Sequence, residues 1–92
     1  MEITETWKRL FQRWPQDLPQ RGVVTTTLNE QLPFKGFMLA GETVLLERTN
    51  PDPLGTRFIF LPYANVAAVK IVDVIKEKIF AAMGYEGKLS GK

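Results

Sequence analysis

The chain has 92 residues, of which 45% are hydrophobic and 24% charged, and its formal net charge is +2. This length suits one domain with a small core, and a charge so close to balance permits a phosphate-bearing partner without pointing to one. Cysteine and histidine are absent and Ser90 is the only serine, which excludes thiolate chemistry, Cys/His zinc sites, imidazole catalysis and the usual catalytic triads.

The first predicted element is an amphipathic helix over about residues 3–14. Thr4 or Thr6 can cap its start, and Pro15 ends it. Apolar side chains recur within it at the spacing of one helical face; they are Ile3, Trp7, Leu10, Phe11 and Trp14. The basic residues off that stripe either meet phosphates or simply face solvent; they are Lys8, Arg9 and Arg13.

The segment after the helix changes to strand texture. VVTTTL is β-branched and predicts a strand from residue 23, and residues 29–33 are expected to form a turn or a short distorted connection. FKGFMLAGETVLLER, residues 34–48, contains Gly36 and Gly41, each of which would cost a helix about 1 kcal/mol. As one straight strand the segment would run about 50 Å, whereas a chain of this size is about 30 Å across. We therefore predict two strands, 34–40 and 43–48, with strong curvature at Gly36 and a corner at Gly41-Glu42.

The remaining elements complete a mainly β fold. A proline-containing loop at residues 49–56 precedes the strand RFIFLP, a tight corner YAN, and VAAVKIV, which is a further strand or the start of a helix. A C-terminal helix is predicted at about 73–83, capped by Asp73 and closed by Gly84, and residues 85–92 are expected to be disordered. The predicted fold class is a single domain containing a small, strongly bent five-stranded barrel over about 23–72, with a helix at each end.

The predicted strands are apolar on both faces, so both faces require cover. The barrel interior covers one face, and the N-terminal helix covers part of the other. The apolar strand surface that remains uncovered predicts a subunit partner, because edge strands of this kind accept strand addition from a neighbour. The alternative is that the two terminal helices cover everything and the protein is a monomer. The large aromatic side chains are expected in the core rather than in a ligand site; they are Trp7, Trp14, Phe11, Phe58 and Phe60.

A helix followed by five short, bent strands resembles the Sm/LSm-like (Hfq-like) superfamily of RNA-binding proteins over residues 7–72. Gly36 lies where that family keeps a strand glycine, and Asn65-Val66 looks like the start of the family's last strand. The resemblance implies an Sm-like (SH3-type) barrel that forms a homo-oligomeric ring by pairing edge strands. It also implies that the ring binds single-stranded RNA at its inner loops.

The RNA-reading motifs of that family are only partly present. Glu42 stands in for the family's aspartate at the second-to-third strand corner, but Leu46 falls where an asparagine would be. Before the last strand, Pro62-Tyr63 replaces an Arg-Gly pair. The resemblance therefore implies altered RNA contacts or, as the alternative, an oligomeric protein-interaction scaffold that has lost nucleotide binding.

Candidate RNA contacts follow from chemistry and position. Tyr63 can stack on a base and Asn65 can bond a base edge, or both can serve the packing of the corner. Arg48 and Arg57 flank the proline loop, where they either contact phosphate or pair with neighbouring acids. Lys35, beside Gly36, has no obvious partner. The full set of candidates is Tyr63, Asn65, Glu42, Arg48, Arg57 and Lys35.

Other functional classes find little support. The acids are scattered without metal-ligand spacing, and no phosphate-cradling glycine loop is present. Without histidine, cysteine or a positioned serine, no convergent catalytic set is visible, so we expect neither an enzyme nor a cofactor.

Two early acids and the absence of a long apolar run fit neither a signal peptide nor a membrane span, and lack of cysteine fits an intracellular protein. We therefore expect a cytoplasmic protein.

Overall fold

The computed structural model describes residues 3–90, apart from the side chain of Ile3. The place of Ile3 in the apolar stripe and residues 91–92 of the predicted tail therefore lie outside the described part. The protein is mainly β, with a short N-terminal helix and a five-stranded antiparallel sheet. Its elements are α1 (Ile3–Gln12), β1 (Gly22–Thr26), β2 (Gln31–Ala40), β3 (Thr43–Arg48), β4 (Phe58–Pro62), a 3-10 turn (Tyr63–Asn65), β5 (Val66–Lys70) and α2 (Glu77–Ala82).

The division of residues 34–48 into two strands is confirmed. β2 ends at Ala40, Gly41 has a φ of 56°, and β3 begins at Thr43, so the corner lies where a left-handed glycine permits it. The predicted turn at 29–33 is wrong in part, because β2 already begins at Gln31 and includes Pro33. Pro33 lies just beyond the last pair that β2 makes with β3, and its carbonyl accepts a hydrogen bond from the Thr49 N–H at 3.4 Å. Its missing N–H therefore falls at the end of that ladder and not in its middle.

The C-terminal helix is shorter than predicted. α2 spans six residues and no side chain caps its start. Asp73 does not act as a cap, because its carboxylate accepts two hydrogen bonds from Arg21, from Nε at 2.8 Å and Nη2 at 2.6 Å. This ion pair fastens the chain after β5 to the chain before β1. Gly84 does close α2 as expected, with a φ of 104° and its N–H bonded to the Ala81 carbonyl at 3.0 Å.

A short connection forces the sheet to curl. The strand order is β4-β3-β2-β1-β5, so β4 and β5 are the two outermost strands, yet only a three-residue 3-10 turn separates them. In a flat sheet they would lie about 19 Å apart, whereas four steps of a 3-10 turn advance about 8 Å. The strands bend at register shifts between Thr25 and Thr26 and between Phe34 and Gly36. β4 and β5 do not pair with each other in the described chain, so the sheet is curled but not closed.

The core lies inside this curl, and α1 covers part of it. The side chain of Phe11 is buried there and stacks on Trp14 with ring centroids 5.6 Å apart. Trp14 in turn donates its indole N–H to the Leu18 carbonyl at 3.0 Å, which fixes the chain after the helix. The buried cluster comprises Phe11, Val24, Leu32, Phe34, Val44, Leu46, Leu61, Tyr63 and Val66.

Two of the aromatic residues expected in the core lie outside it. Phe58 and Phe60 are 57% and 76% exposed, so that part of the prediction is wrong. β4 is an edge strand, and its alternate residues, Ile59 and Leu61, are the ones that face the core. Across the sheet Phe60 is in register with Leu45 and then Met38, and Met38 is 70% exposed. The strands are therefore apolar on both faces, and the outer face remains uncovered within the described chain.

Gly22 is the glycine at which a larger residue would meet the most severe steric clash, whereas the sequence points to Gly36. A Cβ at Gly22 would overlap the main-chain carbonyl oxygen of Lys70 on β5. A Cβ at Gly36 would meet only the Glu47 carboxylate oxygen, at 2.8 Å, on a flexible side chain that can move aside. The close approach of β1 and β5 therefore depends on Gly22.

Alanine substitutions distinguish the two glycines. Gly22→Ala is expected to reduce the free energy of unfolding by about 1–3 kcal/mol, because the two strands must separate to admit the methyl group. Gly36→Ala serves as the matched control and is expected to change it by less than about 1 kcal/mol. Urea denaturation measures both, and a larger loss for Gly36→Ala than for Gly22→Ala would contradict this assignment.

Candidate functional site

The candidate RNA contacts fall into two groups at opposite ends of β3. Glu42, Tyr63 and Asn65 lie at the corners that join β2 to β3 and β4 to β5, and we call them the corner group. Lys35, Arg48 and Arg57 lie at the other end, beside the proline loop, and we call them the loop-end group. The length of β3 separates the groups by about 17 Å. They therefore do not form one binding site within a single chain.

The two corners of the corner group are held against each other and against α1. The main-chain N–H of Tyr63 donates to the Glu42 carbonyl at 3.0 Å. Lys8 of α1 donates to the Glu42 carboxylate at 2.8 Å, and this hydrogen bond and the charge of Glu42 raise the pKa of Lys8. The sequence suggested phosphate or solvent for Lys8 and gave no sign of a partner 34 residues away. Glu42 is thus already paired, although its side chain remains mostly exposed.

Tyr63 does not present a stacking surface. The residue is 0% exposed, and its ring lies 6.0 Å from that of Phe11. Burial is the main cause of a raised pKa for Tyr63, and its hydroxyl has no hydrogen-bond partner among the described residues. The stacking role is therefore incompatible with this position, and the packing alternative describes it. Asn65 is exposed at the same corner, where its carbonyl accepts a hydrogen bond from Thr27 N–H at 2.9 Å.

The loop-end group brings three basic residues onto adjoining strand ends. Arg48 closes β3, and its main-chain N–H donates to the Arg57 carbonyl at 2.8 Å. Lys35 lies in the register shift of β2, opposite the end of β3. Lys35 and Arg57 are exposed, whereas Arg48 is half-buried and its Nε is buried with no hydrogen-bond partner in the described chain.

Asp52 organises the adjacent loop and forms no ion pair with these cations within residues 3–90. Its Oδ1 accepts hydrogen bonds from the main-chain N–H groups of Leu54 and Thr56, each at 2.9 Å. The Thr56 bond is the largest cause of the lowered pKa of Asp52, to which the charge of Arg48 adds a smaller part. The alternative pairing of the two arginines with Glu47 or Asp52 is not seen, because the ion pairs of residues 3–90 are Lys8–Glu42 and Arg21–Asp73.

Residues 77–89 border two hollows that the sequence did not indicate. One, of about 590 Å³, lies between α1, β5 and residues 77–89, and Trp14, Val69 and Phe80 are among its walls. The other, of about 660 Å³, lies between α1 and residues 82–85. None of the α2 residues is fully buried. The hollows form between segments that are far apart in the sequence, so the apolar periodicity within any one segment does not predict them.

The described residues contain neither a candidate metal site nor a candidate membrane span. Residues 3–90 contain no group of three or more acidic side chains placed to hold a metal ion. No helix in the same range has both the length and the apolar character needed to cross a bilayer. Neither a family model, nor a curated protein, nor a solved structure matches this chain.

Substitutions at Tyr63 test whether it serves the core. Tyr63→Phe is expected to leave the free energy of unfolding unchanged or to raise it, because a buried hydroxyl without a partner costs about 1–3 kcal/mol. Tyr63→Ala is expected to lower it by about 3–5 kcal/mol through loss of packing. Urea denaturation measures both changes. If Tyr63→Phe lost more than about 1 kcal/mol, the hydroxyl would have a hydrogen-bond partner that this account lacks.

Proposed function

We propose that this protein is an Sm-like module that assembles into a ring by pairing β4 of one copy with β5 of the next. The observation that carries the proposal is the pair of free edges. Among the described residues β4 pairs only with β3 and β5 only with β1, and each is five residues long. Unpaired main-chain N–H and C=O groups on an edge are a template for another strand. Each copy thus offers two edges of equal length that a neighbour can satisfy head to tail, as ring closure requires.

The shape of the sheet supports the same proposal. A five-stranded sheet that curls until its outer strands are joined by three residues supports the proposed Sm-like, SH3-type barrel with one open seam, because such a barrel requires a strongly curved sheet. In the proposed ring that seam is occupied on both sides, because a strand from a neighbour adds to each edge. The sheet then continues from copy to copy.

Exposed aromatic residues on β4 add a driving force for association. Phe58 and Phe60 keep more than half of their surface in water in the single chain. A strand placed beside β4 lays its own side chains next to these rings and covers part of them. Full burial of such a side chain is worth about 1.5–3 kcal/mol. Repetition of this contact around a ring therefore favours the assembly.

The molar mass of the protein in solution tests the ring. Light scattering coupled to size-exclusion chromatography is expected to give several times the 10.5 kDa of one chain. Phe60→Lys is expected to lower the mass towards that of one chain, because it places a charge on the pairing strand. Leu54→Lys is the control, since Leu54 is 92% exposed in the loop before β4 and is expected to keep the ring mass. A wild-type mass of 10.5 kDa would contradict the proposal.

Single-stranded RNA is the ligand that we propose for the ring. The corner group supports it, because the β2–β3 and β4–β5 corners lie side by side, and these are the corners at which the resemblance places RNA contacts. Asn65 is exposed there, whereas Tyr63 is buried and Glu42 is paired with Lys8. The contacts would therefore come from Asn65 and from exposed basic residues, rather than from an aromatic stack.

A protein-interaction scaffold is the second candidate, and two observations favour it. The burial of Tyr63 and the Lys8–Glu42 pair remove much of the predicted base contact. Met38 and Phe60 also leave an apolar outer face of the kind that protein partners cover. In this form the ring would present that face to another protein and would not bind nucleic acid.

Labelled oligo-U and oligo-A distinguish the two candidates. RNA binding predicts a fluorescence anisotropy change at low salt that falls steeply as salt rises, a weaker response for Asn65→Ala, and a high ratio of absorbance at 260 to 280 nm in freshly purified protein. No binding at low salt would contradict RNA as the ligand. Recovery of a protein and no nucleic acid in a pull-down would support the scaffold.

A further inference from the structure

We propose that the loop-end group, Lys35, Arg48 and Arg57, is a binding site for phosphate groups. Two sources carry that chemistry, namely free inorganic phosphates and the phosphodiester backbone of a single-stranded nucleic acid. The second source rests on the RNA binding proposed above, whereas the first does not. The site differs from the corner group, since it lies at the opposite end of β3.

Backbone pairing places the three basic residues on adjoining strand ends. The hydrogen bond from Arg48 N–H to the Arg57 carbonyl joins the end of β3 to the start of β4. Phe34 pairs with Arg48 and Gly36 with Glu47, so Lys35 is the extra residue of β2 at that point. Like charges on adjoining strand ends repel one another unless an anion lies among them.

Arg48 has donor capacity that the described chain does not use. Its Nε is buried without an acceptor, and neither Glu47 nor Asp52 forms an ion pair with it within residues 3–90. A guanidinium carries its N–H donors in a planar fork that matches two oxygens of a phosphate group. A ligand that draws the partly exposed side chain outward would satisfy this donor.

The acidic residues at this end leave a net positive charge. Asp52 directs one carboxylate oxygen to two main-chain N–H groups of its own loop. Glu47 pairs in register with Phe58 and Gly36, on the outer side of the sheet. Three cations and two carboxylates leave a net charge of +1. Lys35 and Arg57 are exposed, whereas the two acidic residues, Glu47 and Asp52, are half-buried. This balance attracts a phosphate without requiring a strongly basic chain.

Nuclear magnetic resonance titration tests the site directly on the full chain. Inorganic phosphate, pyrophosphate and an oligo-U are each added to ¹⁵N-labelled protein. The expected result is a shift of the amide resonances of Lys35, Arg48 and Arg57, with smaller effects at Glu42 and Asn65. Shifts with the free phosphates alone support small phosphates as the source, and shifts with oligo-U at the same amides support the nucleic-acid backbone.

Charge-removing variants test which side chains carry the binding. Arg57→Gln and Lys35→Gln are each expected to weaken binding by about threefold, as for exposed ion pairs. For oligo-U, each variant should also reduce the slope of log affinity against log salt by about 0.7. Arg9→Gln, on the exposed face of α1, removes the same charge and is expected to have a smaller effect. Arg48 is half-buried, so the conclusion rests on the two exposed residues.

Two outcomes would overturn this inference. In the first, none of the three ligands shifts the loop-end amides. In the second, oligo-U shifts only the corner group, and Lys35→Gln and Arg57→Gln bind it as tightly as the wild type does. The second outcome would leave the proposed RNA binding intact, and the ring proposal is judged separately by molar mass.

Discussion

The three-residue link between the two outermost strands is the constraint on which the rest of the structure depends. Because Pro62 and Val66 are so close along the chain, the sheet cannot be flat. Curling gathers the side chains of the inner face into one core and leaves α1 to cover part of it. The same link brings the β4–β5 corner against the β2–β3 corner, where Glu42 and Lys8 then join the sheet to the helix.

The curl also explains why the chain keeps two unpaired sheet edges and an exposed apolar surface. β4 and β5 remain edges, and β4 carries two phenylalanines on the side away from the core. Within residues 3–90 neither end of the chain covers them, since α1 packs on the core through Phe11 and residues 77–89 lie against α1 and β5. A free main-chain edge and an apolar face on the same strand both favour association with a neighbour. Assembly is thus the property that the fold supports best.

Local patterns in the sequence predicted some of this, and long-range contacts account for the rest. Gly41 marked a corner because residues 34–48 are too long for one straight strand in so small a domain, and that reasoning needs no tertiary information. The partner of Asp73 is Arg21, 52 residues away, so a carboxylate that looked like a helix cap serves a different contact. Likewise the role of Gly22 depends on a carbonyl of Lys70, which β-sheet topology alone brings near.

The candidate site was predictable only as a set of residue types. Asn65, Lys35 and Arg57, which the sequence offers as candidates because they are charged or amide side chains beside turns, are exposed. For Tyr63 the sequence leaves base stacking and packing of the corner both open, because it does not reveal that the corner folds inward over Phe11. The separation of the candidates into two groups follows from strand pairing. RNA, if bound by one chain, would meet these groups at different points along its backbone.

Cysteine cross-linking of the two edges tests the central claim most directly, because the natural chain contains no cysteine. Phe60 and Ala68 are the middle residues of β4 and β5, so they face each other when the strands pair in full register in either direction. A mixture of Phe60→Cys and Ala68→Cys proteins is expected to give a disulfide-linked dimer on mild oxidation. The double variant is expected to give a series of cross-linked oligomers, the largest of which has the subunit number of the ring. Only monomers in both experiments, together with a monomeric wild-type mass, would contradict pairing of β4 with β5 between copies.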